Sequence, residues 1–467
     1  MSQSDAQTTT TLLILGASGD LTSRLLLPGL ATLLTVETDR RVRVLGSDLP
    51  DMDEDAWRDR VREAFTKVDA GAEAERVLGD TAYIAADATD ADGLQRALDA
   101  AGDGPLVIYC ALPPQITAKA CAALANVSLP EQTTLALEKP FGYDADSARE
   151  LNRTLARSVP EERVFRIDHF LGLYTVLNLL GLRFTNRLFE PVWNRDSIES
   201  VEIIYDEMVT LEGRAGYFDH AGALRDMIQS HLLQVMAVVA MDPPASVGER
   251  DLRDAIGQVL RAARIVDPAE HSRRARYTAG SIGEREVPDY TAEEGVDPDL
   301  GTETLAEVQV DIANHRWAGV PFILRSGKAF GEIRKRVVIH FKPPAHIPDG
   351  LLGQDTPDSL TIDLRPDSFT LSLTTNGAGD AFTLGRTDLT GQLGGGQLEP
   401  YGEVLSSMLD ANPRLAVRGD AAEECWRILE PVQRAWDADD VPLEEYPAGS
   451  QGPSSWPTAG ASGARQS

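Results

Sequence analysis

The feature that most constrains this chain is its opening: an apolar run, a glycine turn and a helix. Thr11 to Leu15 is apolar, Gly16-Ala17-Ser18-Gly19-Asp20-Leu21 follows, and Ser23 to Leu34 then reads as a helix. Strand, turn and helix in that order form the first half of a dinucleotide-binding unit, because backbone N–H groups at a helix N-terminus can receive a pyrophosphate. The spacing is GxxG rather than GxGxxG, so a plain tight turn is the alternative.

Further strands support the first reading. Arg41 to Leu45 ends at Gly46-Ser47-Asp48, Pro105 to Cys110 enters Ala111-Leu112-Pro113-Pro114, and Thr133 to Leu137 enters Glu138-Lys139-Pro140-Phe141-Gly142. Apolar strands alternating with helical segments predict a parallel sheet with helices on both faces, and ligands bind at the carboxyl ends of such strands. From about Ser197 the rhythm changes. Ser197–Tyr205, Ala306–Ile312, Arg336–Lys342, Ser359–Arg365 and Ser368–Thr374 alternate like half-buried strands, while Ala223–Met241 reads as one long helix and 389–398 as a loop. The expected fold class is therefore an α/β Rossmann domain plus a larger α+β domain with a mostly antiparallel sheet. The boundaries expected are a disordered leader over 1–10, a dinucleotide-binding domain over 11–170, a substrate and dimerisation domain over 171–456 and a disordered tail over 457–467.

At 467 residues and 42% hydrophobic content, two large globular domains are the natural reading. The charge, 44 − 73 = −29, argues against nucleic acid or an anionic membrane as a partner. It leaves room for a phosphorylated ligand, which needs only a few local cations. Cys110, Cys121 and Cys425 fit neither a disulfide framework nor a metal motif, which predicts a reduced cytoplasmic setting and no metal. The N-terminus has no signal-peptide pattern, and no run approaches a membrane span.

One stretch carries a carboxylate beside an imidazole: Arg166-Ile167-Asp168-His169-Phe170-Leu171-Gly172-Leu173, continuing as an apolar helix to Leu180. Taken alone, Asp168 could simply cap a turn. Together with Gly16 to Leu30, Glu138 to Gly142, Glu212 to Phe218, Arg225 to Gln234, Arg316 to Lys328 and Gly449 to Pro453, however, it occurs in the order and spacing of a known family. From about residue 11 to residue 456 the chain resembles the glucose-6-phosphate dehydrogenases.

The resemblance implies oxidation of glucose 6-phosphate at C1 to 6-phosphogluconolactone with hydride transfer to NAD or NADP, the first step of the oxidative pentose phosphate pathway, in a homodimer or homotetramer. It implies His231 as general base and Asp168 as its partner carboxylate. A base is needed because the C1 hydroxyl must lose its proton as the C–H bond breaks, and imidazole titrates near working pH. Lys139, His169, Glu207, Asp226 and Lys328 match substrate contacts. Gly16, Ser18, Gly19, Asp20, Leu21, Asp48, Pro113, Lys139 and Pro140 match the cofactor side, with a cis bond before Pro140.

The chain departs from the family pattern at three places. The family motif Asp-His-Tyr-Leu-Gly-Lys-Glu reads Asp168-His169-Phe170-Leu171-Gly172-Leu173-Tyr174, which removes a hydroxyl and an ammonium from the phosphate grip. Arg183, Arg214 and Arg225 are the nearby cations that could replace it, or the substrate is an unphosphorylated or different aldose. After the second strand Asp48 stands where NADP-specific members place an arginine, and Arg40, Arg41 and Arg43 lie at the wrong end of that strand. An acidic residue there suits the free ribose 2′-OH, so NAD is expected over NADP. Ala255-Ile256 replaces a Glu-Lys pair. A catalytically inert sugar- or nucleotide-binding homologue is the reading from another class.

Overall fold

The computed structural model describes residues 9–49, 52–213, 215–353 and 356–456. Arg214, most of the expected leader and the expected tail lie outside the described residues. Thr10, expected in the leader, already opens the first strand.

The chain divides into two compact units that are not the contiguous halves expected. The first holds Met1–Leu173 and also takes back Pro244–Gly257 and Gly396–Glu424; the second holds Tyr174–Pro243, Gln258–Gly395 and Cys425–Ser467.

The first unit is built on β1 (Thr10–Leu15), β2 (Val42–Asp48), β3 (Ala82–Ala85), β4 (Leu106–Cys110), β5 (Thr133–Glu138) and β6 (Val164–Ile167). Their order is β6-β5-β4-β1-β2-β3, all parallel, with the short strand Ala416–Val417 added antiparallel to β6. Because the chain steps one way from β1 to β3 and the other way from β4 to β6, the strand order reverses between β1 and β4. Open parallel sheets bind ligands at such a reversal. β1 is buried from Thr11 to Leu15, which explains its unbroken apolar run: a strand covered on both faces has no solvent side to alternate with. Leu12 and Ile14 pack with Leu27, Leu30, Leu34, Trp57 and Phe65, and Leu405 and Met408 join the same core from far along the chain. Fully burying each such side chain contributes roughly 1.5–3 kcal/mol.

The second unit carries a ten-stranded sheet centred on β7 (Ile198–Asp206), which lies between Pro321–Gly327 and Arg334–Phe341. Its ladders are antiparallel except β7 with Pro321–Gly327 and Ser272–Thr278 with Leu443–Pro447. The segment 389–398, expected as a loop, belongs in its first part to the strand Leu384–Gln392, which pairs with Asp367–Asn376. That strand is exposed along most of its length, so it has no apolar face to announce it.

The long helix expected over Ala223–Met241 is in fact broken. Ala215–Ala223 ends at Gly222 with φ 65° and ψ 174°, a π-helical segment Leu224–Leu232 follows, and a regular helix Leu233–Ala240 completes the run. Arg183 is fully buried and donates to the carbonyls of Val238 (3.0 Å) and Met241 (2.8 Å). It is thereby spent on the end of this helix, which removes it as the replacement phosphate cation. Among the described residues, no helix is long and apolar enough to cross a membrane.

Candidate active site

In the first unit the glycine turn sits at the reversal between β1 and β4. Gly16 has φ +88°, and a Cβ there would lie 2.4 Å from the carbonyl oxygen of Ala111. Only glycine fits. The turn's own amides are already engaged. Gly16 and Ala17 N–H donate to Ser47 O (2.8 and 3.2 Å), Gly19 N–H donates to Gly16 O (3.0 Å), and Ser18 N–H donates to Asp48 Oδ2 (3.2 Å). The helix begins at Asp20 and Leu21, whose N–H groups, in a first helical turn, lack intrahelical acceptors. These two amides, more than those of the glycines, are the donors a pyrophosphate would use. The Asp20 side chain points elsewhere, pairing with Arg24 at 3.0 Å on the surface.

Asp48 ends β2, which runs three residues beyond its expected end at Leu45. Its carboxylate accepts from Ser18 Oγ (2.5 Å) and from the N–H of Leu49 (2.8 Å). It therefore faces the glycine turn and also caps its own turn. Arg40, Arg41 and Arg43 are occupied at the opposite end of the strand: Arg40 with Glu37 and Asp410, Arg41 with the Thr38 carbonyl, Arg43 with Asp80 and the Ala100 carbonyl. Sequence reasoning missed Arg60. Its guanidinium donates to the carbonyls of Ala17, Ser18 and Gly19 (3.4, 2.8 and 3.3 Å), so it is the cation at the turn.

Pro113 caps the helix Pro114–Leu124 just after β4. The Lys139–Pro140 bond is cis, as the motif implies. Glu138, preceding it, accepts from the hydroxyls of Tyr109 and Tyr401, the latter at 3.2 Å. Burial raises the Glu138 carboxyl above its ordinary range, against the pull of both hydroxyls. The Tyr401 ring in turn stacks on His169, with centroids 5.9 Å apart and planes 18° apart. Neither tyrosine was singled out from the sequence.

Asp168 follows β6 and is buried; its Oδ1 accepts from Phe170 N–H at 2.9 Å. The turn continues through Leu171, Gly172 and Leu173 N–H onto the carbonyls of Asp168, His169 and Phe170. Helix thus begins only at Tyr174. Phe170 and Leu173 are buried hydrophobic side chains, so this turn offers apolar atoms at both departures. Ala255 and Ile256 are buried as well.

In the second unit Asp226 and His231 lie on the π-helical segment and are buried. They are five residues apart, a spacing that a helix with i→i+5 bonding brings to one face, whereas an α-helix of about 3.6 residues per turn would splay the two by ~140°. Tyr217 donates to Asp226 Oδ1 at 3.4 Å. Arg225, one of the three nearby cations that could replace the lost phosphate grip, is exposed and bonds the His220 carbonyl at 3.3 Å.

Glu207 follows β7 directly. Lys328 Nζ reaches its Oε2 (3.4 Å) and Lys335 Nζ its Oε1 (2.8 Å), while Lys335 also bonds the Tyr205 hydroxyl at 3.0 Å. Burial pulls the Glu207 carboxyl up, but the two ammonium groups outweigh it and hold it below its ordinary range. Lys335 was not identified from sequence; it is brought in by pairing with Tyr205 across the sheet. Beneath this cluster Asp206 is fully buried between Arg325 (3.2 Å) and Arg334 (2.8 Å). The Gly449 to Pro453 motif clasps the turn that follows Lys328: Gly449 N–H donates to Ala329 O, Gly331 N–H to Ser450 O, and Gln451 O accepts from Arg325.

Known proteins resemble this chain in sequence and fold. Residues 13–178 match the family described as glucose-6-phosphate dehydrogenase, NAD binding domain, and residues 180–464 match glucose-6-phosphate dehydrogenase, C-terminal domain. The chain is 36% identical to the glucose-6-phosphate 1-dehydrogenase of Treponema pallidum (strain Nichols), over 95% of this chain and 92% of that one. The crystal structure of the Mycobacterium avium glucose-6-phosphate 1-dehydrogenase superposes with a TM-score of 0.82 at 32% identity, covering 95% of each chain. A glucose-6-phosphate dehydrogenase solved in complex with its substrate glucose 6-phosphate gives 0.86 at 29% identity, covering 97% of each. This chain belongs to the glucose-6-phosphate dehydrogenase family.

Proposed function

We propose that the protein is a glucose-6-phosphate 1-dehydrogenase, oxidising C1 of the sugar phosphate to 6-phosphogluconolactone and so opening the oxidative pentose phosphate route. The observation that carries this reading is the match, over 97% of both chains, to a relative solved with its substrate bound. His231 is the base that takes the C1 hydroxyl proton, and Asp168 is the carboxylate that fixes its tautomer and stabilises the imidazolium. Glu207 and Asp226 accept hydrogen bonds from sugar hydroxyls, and His169, Lys139 and Lys328 complete the substrate contacts. When bound, the nicotinamide supplies the hydride acceptor.

On the cofactor side the first-turn amides of Asp20 and Leu21 take the pyrophosphate and Asp48 takes the ribose 2′-OH, with Pro113, Lys139 and Pro140 nearer the nicotinamide. Asp48 facing the glycine turn supports NAD over NADP. The strand Leu384–Gln392 is largely exposed in the single chain and its neighbour Asp367–Asn376 is mostly half-buried, and we assign this edge of the sheet to a homodimer interface; tetramers would be pairs of such dimers. Three buried cysteines, none of them in a disulfide among the described residues, fit a cytoplasmic setting.

A second reading, a dehydrogenase of unphosphorylated aldoses, is favoured by one observation: Phe170 and Leu173 contribute no charge at the turn. Initial rates with glucose 6-phosphate and with glucose, on the native protein and His231→Asn, separate the readings. Two charge-assisted phosphate contacts, from His169 and Lys328, at roughly 1.5–3 kcal/mol each predict a kcat/KM preference of about 10²–10⁴ for the phosphate ester. Loss of the base predicts a fall of about 10²–10⁴ in kcat. A preference near one would remove the phosphate ester, and an unchanged His231→Asn rate would remove the base.

A further inference from the structure

The helix that carries Asp226 and His231 starts without a cap of its own. Ala223 stands at the cap position of Leu224–Leu232 and offers no side-chain acceptor, although the first N–H groups of any helix need one. Glu303, just ahead of the strand Leu305–Ile312, supplies it from outside. Its Oε1 accepts the Leu224 N–H at 2.9 Å, and its main-chain carbonyl accepts the Ala223 N–H at 3.2 Å. The backbone is cut to fit this carboxylate. A Cβ on residue 222 would stand 2.3 Å from Glu303 Oε1, and the φ of +65° there is one that glycine adopts freely. Thr302 fastens the other side of the break: its hydroxyl donates to Asp219 O at 2.5 Å, and the Asp219 carboxylate accepts from Tyr290 (2.6 Å) and from the Asp297 N–H (2.7 Å).

We propose that Glu303 is a positioning residue for the reaction: by holding the first amide of Leu224–Leu232 it fixes the π-helical register and with it the direction of Asp226 and His231. This rests on the reading of His231 as the base. A carboxylate at a helix N-terminus also meets the positive end of the helix dipole. Burial holds the Glu303 carboxyl up at about 7, against the Leu224 N–H and the more distant Arg225 and Arg274. The groups around it are Asp219 and His220 on the preceding helix Ala215–Ala223, Arg225 on the capped segment Leu224–Leu232, Arg274 on Ser272–Thr278, Tyr290, and Asp437, several of which line a cleft of about 310 Å³. Ionisation of Glu303 near neutrality strengthens the cap, so this residue adds an acid-side loss of kcat that glutamine, a neutral acceptor of the same shape, does not have.

The test compares native protein, Glu303→Ala, Glu303→Gln and Gly222→Ala by steady-state kinetics across pH 5.5–9 and by hydrogen exchange at residues 224–228. Misplacing a reacting group by ~1 Å can cost ~10²-fold. Glu303→Ala is therefore expected to lose about 10–100-fold in kcat with the KM for the dinucleotide unchanged, and its Leu224 amide to exchange faster. Glu303→Gln is expected to recover most of the rate while flattening the acid limb. Gly222→Ala, which displaces the carboxylate without removing it, is expected to resemble Glu303→Ala, and it decides the question if the alanine variant fails to fold. Native kcat and native exchange in Glu303→Ala overturn the proposal, as does a glutamine variant no better than alanine. A fully active His231→Asn would overturn the underlying assignment of the base instead, and the exchange data would still decide whether Glu303 holds the helix.

Discussion

Asp48 shows how much a single side chain can be asked to do. Its carboxylate already takes hydrogen bonds from Ser18 and from Leu49, so a ribose 2′-OH would share it, while a 2′-phosphate would meet its charge in addition to competing for Ser18. Arg60, already on the carbonyls of Ala17 to Gly19, would gain a phosphate only at the cost of that charge. Asp48→Arg is therefore expected to move the ratio of kcat/KM values, NADP over NAD, upward by about 10–100-fold, the worth of one charge-assisted contact at roughly 1.5–3 kcal/mol. Both absolute rates are expected to drop, because the Ser18 bonds are lost, which makes the ratio the quantity to measure. An unmoved ratio would mean that Asp48 serves the turn alone. The position of Asp48 beside the glycine turn was legible because it ends a strand in a known kind of turn. Tyr401 was not: it meets Glu138 from 263 residues away, and no local pattern encodes such a meeting. Lys335 escaped for a similar reason, since only the β-sheet register sets it beside Tyr205.

At the level of elements, β7 delivers Asp206 into the protein interior and Glu207 to the cluster beside it, and the clasp of residues 449–453 closes over the arginines that neutralise Asp206. Burial raises the Asp206 carboxyl, against the attraction of Arg325 and Arg334. Removing the charge from one member of a buried ionic group leaves the others uncompensated and costs about 3–5 kcal/mol. Asp206→Asn should therefore lower the thermal unfolding midpoint by roughly 6–20 °C at about 2–4 °C per kcal/mol for a unit of this size. Followed by circular dichroism, a midpoint within a degree of native would show that the asparagine amide keeps the arginines satisfied. Most strands of this sheet were readable because one face is buried and side chains alternate, as in Leu305–Ile312. Pro321–Gly327 has a continuously buried second half and was seen only as a motif. The π-helical segment was hidden for another reason: its residues are buried almost all round, so no polar stripe marks where the helical period changes.

For the whole molecule, the change of rhythm near Ser197 pointed to two units but not to their discontinuity. A fragment ending at Leu173 would lack Ala416–Val417 from the sheet and Leu405 and Met408 from the core, and nothing in the periodicity of 1–173 announces that debt. Charge acts at this scale too. With 73 acidic and 44 basic side chains, the folded chain concentrates like charges that the unfolded chain can spread apart, so long-range repulsion opposes folding. Exposed ion pairs such as Arg24–Asp20 and Arg153–Glu150 work the other way, but each is worth about 0–1 kcal/mol, while the buried pairs around Asp206 are screened little. The Debye length shortens from about 30 Å at 0.01 M salt to about 8 Å at 0.15 M, which removes most of the long-range repulsion and leaves the buried pairs intact. The unfolding midpoint is therefore expected to rise as sodium chloride increases over that range, and to rise with potassium chloride by the same amount, since screening depends on ionic strength and not on the cation. A midpoint that falls would show that surface ion pairs outweigh the net charge, and a rise confined to one cation would point to specific ion binding instead of screening.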